Sequence, residues 1–240
     1  MYLNFIKSEL KKWSRDSMMG FMLIYPFIFG IIGRFFLPWI GDRTDINLDL
    51  YADLILVILT LITPITFGSI LAFSILEDRD DNIFTSIRIS PLSLNQFLSF
   101  RFITVLILTY FTVVFIMWFS NIGDFPIKYI FAIALLAALE APMYGFLINA
   151  FSSNKIEGFA VMKGMGIFIL FPIIALFFLD KKELFFSFAP GFWAAKSISS
   201  VIRGEGLLYL SYNQYYFIGL IYLILLNLLS YKIFTKRVEI

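Results

Sequence analysis

The chain has 240 residues, of which 60% are hydrophobic, 19% are aromatic and only 15% are charged. A typical soluble domain is about 45–50% apolar and about 25% charged. This composition, with a net charge of only +2, excludes a soluble enzyme, a disordered regulator and a basic nucleic-acid binder. It indicates a polytopic membrane protein. Cysteine and histidine are both absent, which excludes disulfides, thiol nucleophiles, His-containing metal sites and the most common general base.

The first 15 residues predict a basic amphipathic helix. Apolar side chains recur on one helical face, and the Lys and Arg residues lie largely off that face. Such a helix is suited to lie in the membrane interface; the alternative is a solvated start of the first span. The apolar positions are Leu3, Ile6, Leu10 and Trp13, and the basic ones are Lys7, Lys11, Lys12 and Arg15.

Six apolar runs follow, each long enough to cross a bilayer, which takes about 20 residues of helix. Little chain remains for a soluble domain, so residues 1–240 are expected to form a single, all-α transmembrane domain. With both termini in the cytoplasm, most of the Lys and Arg residues fall on the cytoplasmic side, as the positive-inside rule requires. The predicted spans are residues 18–40, 50–76, 97–119, 126–149, 157–179 and 213–234.

The segment between the second and third spans is long and charged. Its acidic cluster, Glu77 to Asp81, is expected to begin a short helix, because acidic side chains complement the positive N-terminal end of a helix. Three apolar side chains would share one face of that helix, and a proline would end it. Either the helix presses into a groove of a partner, or it is a solvated connector at the membrane surface. The apolar residues are Ile83, Phe84 and Ile87, and the ending residues are Ser90 and Pro91.

Two charged residues lie inside predicted spans, Glu140 in the fourth and Lys163 in the fifth. A helix rises 1.5 Å per residue, so both lie about 9–14 Å from the cytoplasmic ends of their spans. Ionisable groups in a bilayer are costly and usually face the protein interior and pair. We therefore expect an ion pair between Glu140 and Lys163, which would either hold the two spans together or act in gating or substrate contact.

The segment between the fifth and sixth spans, residues 180–212, is long and rich in aromatic side chains, which a fully hydrated loop would not carry. Short helices that pack on the outer mouth or dip partway into the bilayer are expected here. Lys196 and Arg203 are expected to reach water by snorkelling from these helices. The aromatic residues are Phe185, Phe186, Phe188, Phe192, Trp193 and Tyr209.

Residues 77–93 resemble the signature loop of ABC-2 type permeases, the membrane subunits of one class of ATP-binding cassette transporters. The matching parts are Glu77 to Asp81, Asn82 to Arg88, and Ser90-Pro91-Leu92-Ser93, although many members have a Gly-Thr pair where this chain has Asn82 to Thr85. In architecture the resemblance covers nearly the whole chain: an N-terminal interfacial helix, six spans, both termini inside, and short outer helices before span six.

Such permeases do not hydrolyse ATP, and this sequence has no phosphate-binding G-x-x-x-x-G-K-[ST] loop. The resemblance implies a multi-pass cell-membrane exporter subunit that pairs with a second permease, as a homodimer rather than a heterodimer. Two ATP-binding subunits would dock on the cytoplasmic side and bind the ATP and Mg, with no metal or other cofactor in this chain. The coupling helix that receives their motion would comprise Glu77, Asp78, Arg79, Ile83, Phe84, Ile87, Arg88, Ser90, Pro91 and Leu92.

Two other functional classes stay open from the residues alone. An intramembrane enzyme, such as a lipid transferase or a protease, needs a clustered polar site, and no paired carboxylate motif lies within the predicted spans. The acidic group at 77–81 would suit a divalent cation, but Arg79 interrupts it. An ion-driven secondary transporter with inverted repeats has one intramembrane acid in its favour and no visible repeat.

Overall fold

A computed structural model describes residues 2–44, 47–88, 93–123, 125–204 and 206–238, without the side chains of residues 2–6, 85, 86 and 88. All regular structure in these ranges is helical, and six helical segments are long and apolar enough to cross a membrane, which confirms the expected fold class. They are span one (Ser17–Thr44), span two (Leu48–Asp80), span three (Leu94–Ser120), span four (Ile127–Ala150), span five (Lys155–Ala175) and span six (Tyr212–Val238).

Shorter helices complete the chain. An N-terminal helix (Tyr2–Arg15) precedes span one, and a connecting helix (Ile83–Arg88) lies between spans two and three. A 3-10 helix (Lys181–Phe186) and a far-end helix (Phe192–Arg203) lie between spans five and six, as expected. Six spans place both termini at one end of the bundle, called the terminal end here; the opposite end is called the far end.

Spans two and four form the centre of the bundle. Their most apolar stretches are 78% and 72% buried, whereas those of the other spans are between 17% and 39% buried. Small residues allow the close approach: a Cβ atom on Gly68 would lie 2.5 Å from the carbonyl oxygen of Ala141, and one on Gly145 would lie 2.7 Å from Cδ2 of Leu71. Spans one, five and six therefore form the periphery, and most of their apolar side chains are at least partly exposed.

The N-terminal helix packs onto the terminal end of the bundle. Trp13 is fully buried in the core cluster there, and Glu9 is also buried, whereas Lys7, Lys11 and Arg15 are exposed. One face of this amphipathic helix therefore packs against the spans, and the opposite face stays exposed.

The expected snorkelling of Lys196 is wrong. Lys196 is fully buried, lies 2.5 Å from Glu183, and donates a hydrogen bond of 2.7 Å to the carbonyl oxygen of Phe178. Arg203 donates to Asp53 of span two at 2.7 Å, and its side chain stays 30% exposed. Lys196 cannot reach water because the far-end helix is buried over residues 192–200, so its ammonium group pairs with a buried carboxylate instead.

Candidate functional site

The terminal end of span two carries a network of ions that joins it to its neighbours. Asp78 is 1% exposed and lies between Lys12 of the N-terminal helix, at 2.7 Å, and Arg101 of span three. Arg101 also donates to the buried Glu9 at 2.8 Å. This part of the network, called the buried ion cluster, consists of Glu9, Lys12, Asp78 and Arg101. It fixes the N-terminal helix and span three to the end of span two.

A second part of the network is centred on Lys155, the first residue of span five. Its ammonium group donates to Glu77 of span two, and to Asp16, just before span one, at 2.6 Å. Lys155 thus joins three spans at one point, and the group Asp16, Glu77 and Lys155 is called the lysine tie. Both carboxylates are about a quarter exposed, so the tie is accessible to water.

Asp16 also begins span one, because its side chain accepts a hydrogen bond of 2.8 Å from the backbone N–H of Met19. Burial raises the pKa of the Asp16 carboxyl, but the hydrogen bonds from Lys155 and Met19 outweigh that effect, so its pKa lies below the ordinary value. The carboxylate is therefore charged at neutral pH, as the lysine tie requires.

The acidic cluster ends span two and does not begin the connecting helix, so that expectation is wrong. The span-two helix continues to Asp80, Asp81 and Asn82 form a turn, and the next helix begins at Ile83. Acidic groups at a helix C-terminus face the negative end of the helix dipole, and the cations of the network offset this repulsion. Asn82 has a φ of 56°, a left-handed conformation that glycine and asparagine adopt most easily.

The apolar face of the connecting helix packs on its own chain. Ile87 is 8% exposed and belongs to the core cluster at the terminal end, and Ile83 and Phe84 pack against that cluster. The expected groove-binding face therefore lies at least partly against its own chain, with Ile87 buried and Ile83 and Phe84 partly buried, and Asp80 and Asp81 remain exposed. The side chain of Arg88 and all of Ser90, Pro91 and Leu92 lie outside the described residues.

Arg79 connects the same region to the loop after span four, because its guanidinium donates a hydrogen bond of 3.2 Å to the carbonyl oxygen of Ser152. The structure therefore brings Glu77, Asp78 and Arg79 together with the ends of the neighbouring spans. No group of three or more carboxylates is arranged to hold a metal ion in the described part of the chain. Glu77 and Asp78 instead bind cationic side chains of their own chain.

The expected ion pair between Glu140 and Lys163 is absent. Glu140 is 1% exposed and its Oε1 atom has no hydrogen-bond partner. Lys163 is exposed, and its ammonium group lies 4.5 Å from the ring centroid of Phe159. The pairing fails because Glu140 is buried on the central span four, whereas Lys163 of the peripheral span five faces a groove beside spans one and two.

Four members of the network, Glu9, Asp16, Arg101 and Lys155, were not predicted from the sequence. Arg101 offered a signal, since an arginine inside a predicted span implies a carboxylate partner nearby. Glu9 offered another, because it is an isolated acid among the basic residues of the N-terminal helix. Neither signal specified the partner, which depends on how the N-terminal helix folds back onto the bundle.

Comparison with known proteins adds an independent observation. Residues 9–231 match the family model described as fluoroquinolones export permease protein Rv2686c-like. Two relatives from Mycobacterium tuberculosis are named fluoroquinolones export permease protein MT2760 (strain CDC 1551 / Oshkosh) and fluoroquinolones export permease protein Rv2686c (strain ATCC 25618 / H37Rv). Each is 30% identical to this chain over 201 residues, which is 80% of this chain and 79% of the relative.

Proposed function

Because the chain belongs to the family of Rv2686c-like fluoroquinolones export permeases, we propose that it is the membrane subunit of an ABC-2 type exporter. Two copies form the translocation pathway, and two separate ATP-binding subunits bind ATP and Mg and supply the energy. The terminal end faces the cytoplasm. The chain itself is a non-catalytic, multi-pass subunit of the cell membrane.

The ion network is the observation that carries this proposal. A partner that moves the connecting helix also moves the end of span two, because only Asp81 and Asn82 separate the two helices. Span two is fixed to the N-terminal helix and span three by the buried ion cluster, and to spans one and five by the lysine tie. A displacement at the connecting helix is therefore transmitted to four spans at once.

The surface around the connecting helix has the character of a docking site for a soluble subunit. Asp80 and Asp81 are exposed beside it, and Lys7, Lys11 and Arg15 are exposed on the N-terminal helix. A face of mixed charge suits a polar interface that forms and rearranges during a cycle. The ATP-binding subunit contacts this polar side, while the apolar side keeps the connecting helix on the permease.

The substrates that this proposal names are fluoroquinolone-like compounds, in line with the names of both relatives. These compounds are flat aromatic amphiphiles with a ring carboxylate. Their apolar ring system partitions into a bilayer, so a permease with laterally exposed spans can take them from the membrane.

Co-expression tests the energy source. The chain is expressed with candidate ABC ATP-binding subunits, and the purified complex is assayed for ATP hydrolysis that vanadate inhibits. We expect one subunit to co-purify and to show such activity. Charge reversal of Glu77 to lysine should abolish quinolone-stimulated hydrolysis, because it replaces attraction to Lys12 and Lys155 with repulsion.

The matched control is Asp42→Lys, which reverses an exposed carboxylate near the far end and should leave coupling unchanged. Full transport by the isolated chain, or normal coupling in the Glu77→Lys variant, contradicts the proposal.

A second candidate, an ion-driven transporter, rests on one feature. Glu140 is buried in the centre of the bundle without a partner for its Oε1 atom, and buried acids of this kind serve as proton relays in some transporters. Quinolone efflux that collapses with a protonophore at constant ATP, and that Glu140→Gln abolishes, would favour this candidate over the ATP-driven one.

A further inference from the structure

A groove of about 470 Å³ opens between spans one, two and five at the level of the terminal half of the bundle. Aromatic and thioether side chains line most of it, among them Phe21 and Tyr25 of span one and Phe159 and Met162 of span five. The polar groups in its wall are the ammonium group of Lys163 and the hydroxyl groups of Thr66 and Tyr25. The volume lies within the range of about 300–1,000 Å³ that is typical of small-molecule sites.

Lys163 is the unusual member of this lining. It is eight residues after Lys155, which places it about 12 Å along the helix axis from the terminal end. Its ammonium group contacts the face of the Phe159 ring, and no carboxylate of the described chain lies within ion-pair distance of it. An ammonium group at this depth is costly, so the groove offers an attractive position to an anion from outside the chain.

The walls around Lys163 suit a flat ring system. Phe21 and Tyr25 form an edge-to-face pair with their ring centroids 4.9 Å apart, and Phe21 is 54% exposed. Phe159 is 37% exposed across the groove. Exposed rings offer faces and edges for stacking, and methionine side chains adapt to ligands of different outline. Lipid tails need neither a cation nor paired rings, so these walls favour an aromatic ligand.

We propose that the groove between spans one, two and five is the entry site for aromatic carboxylates, and that Lys163 binds the carboxylate while Phe21 and Phe159 contact the ring system. This inference rests on the proposed function, whose substrates are aromatic acids. It adds the site, the chemical group recognised and the residue that recognises it.

The position of the groove connects it to the ion network. Its three walls belong to spans one, two and five, which the lysine tie joins at the terminal end through Asp16, Glu77 and Lys155. Motion of the end of span two therefore changes the width of the groove. A ligand held by Lys163 is thus placed where movement of the coupling region can release it.

Binding to the purified permease in detergent tests this inference without any ATP-binding subunit. The probes are ciprofloxacin and its analogue without the ring carboxylate, both followed by their own fluorescence anisotropy. Lys163→Gln should raise the Kd for ciprofloxacin about tenfold or more, the effect of losing a hydrogen bond to a charged group. It should leave the Kd of the decarboxylated analogue unchanged, and Lys163→Arg should restore most of the affinity for ciprofloxacin.

Lys128→Gln is the matched control. Lys128 is also exposed and its ammonium group lies 4.7 Å from the ring centroid of Tyr129, but it is at the far end of the bundle. It should bind both probes like the wild type. All variants must elute from size-exclusion chromatography as single symmetrical peaks, which shows that they are folded. If Lys163→Gln does not fold, the Kd of Lys163→Arg for ciprofloxacin decides the result.

Three outcomes overturn the inference. One is an unchanged Kd for ciprofloxacin in Lys163→Gln, and another is an equal loss for both probes, which would indicate a general change of shape. The third is that Lys163→Gln binds ciprofloxacin normally but loses a bound phosphatidylglycerol that native mass spectrometry detects on the wild type. That result would indicate that the groove is a lipid site. In each case the ATP-driven coupling can still be intact, because vanadate-sensitive hydrolysis by the complex is measured separately.

Discussion

Replacing Arg101 with methionine would leave Glu9 without its ion partner and Asp78 with Lys12 alone. Side-chain exposures of Arg101, Asp78 and Glu9 are 3%, 1% and 7%, so water cannot replace the lost cation. Removing one partner of a buried ion pair costs about 3–5 kcal/mol, because an uncompensated charge stays buried. For a chain of this length each kcal/mol corresponds to about 2–4 °C, so the Tm should fall by about 6–20 °C.

A double-mutant cycle that comprises Arg101→Met, Glu9→Gln and the double variant isolates the pairwise effect. Glu9→Gln in the Arg101→Met background removes the stranded charge and should recover about 1–3 kcal/mol of the lost stability. The assay is the thermal melt of the detergent-purified chain, followed by size-exclusion chromatography with fluorescence detection. A double variant no more stable than Arg101→Met would refute the assignment of the loss to Glu9.

The matched control for this experiment is Arg237→Met. Arg237 also lies at the terminal end, 4.7 Å from the ring centroid of Phe151, as Arg101 lies 4.4 Å from that of Phe97, but Arg237 is exposed. An exposed cation–π contact contributes about 0.5–1 kcal/mol, so the Tm should fall by at most about 4 °C. Equal losses in the two arginine variants would contradict the importance of burial among carboxylates.

Three further substitutions separate folding from coupling. Lys155→Gln breaks ion pairs that are about a quarter exposed, so it should lower the free energy of unfolding by only about 1–2 kcal/mol. It should nevertheless reduce quinolone efflux to background, and normal efflux would refute a role for the lysine tie in coupling. Glu140→Gln replaces a buried carboxyl whose Oε1 atom has no hydrogen-bond partner and should leave the Tm unchanged or higher, which a clear fall would contradict. Gly68→Ala forces a Cβ towards the Ala141 carbonyl and should cost about 1–3 kcal/mol of stability. Gly164→Ala is the control, because open space surrounds this glycine, and it should cost nothing. Equal Tm values for these two variants would contradict the close crossing of spans two and four.

The six spans could be predicted from the sequence because each is a separate apolar run. A run of about 20 apolar residues must form a helix in a bilayer, since every backbone group needs an internal partner. The short helices between spans five and six were likewise predictable from aromatic content. The end of span two was not, because the acidic cluster 77–81 favours the start of a helix, and the cations that allow it to end span two come from distant parts of the chain.

The ion network could not be predicted because its partners are distant in sequence. Glu9 and Arg101 are 92 positions apart, and Asp16 and Lys155 are 139 apart. The expected pair of Glu140 and Lys163 used the rule that charges in adjacent spans meet, but the rule needs both side chains on facing sides of their helices. Span five lies at the periphery, and its lysine faces the groove beside spans one and two and not span four.

ATP-driven movement of a quinolone in proteoliposomes tests the central proposal most directly. Vesicles that contain this chain and its co-purified ATP-binding subunit should accumulate ciprofloxacin only with ATP and Mg, and only from the side that carries the ATP-binding subunit. The Glu77→Lys permease should reconstitute equally well and transport at background rates. Equal accumulation by the permease alone, or ATP-driven accumulation by the Glu77→Lys complex at the wild-type rate, would contradict a permease driven through the end of span two.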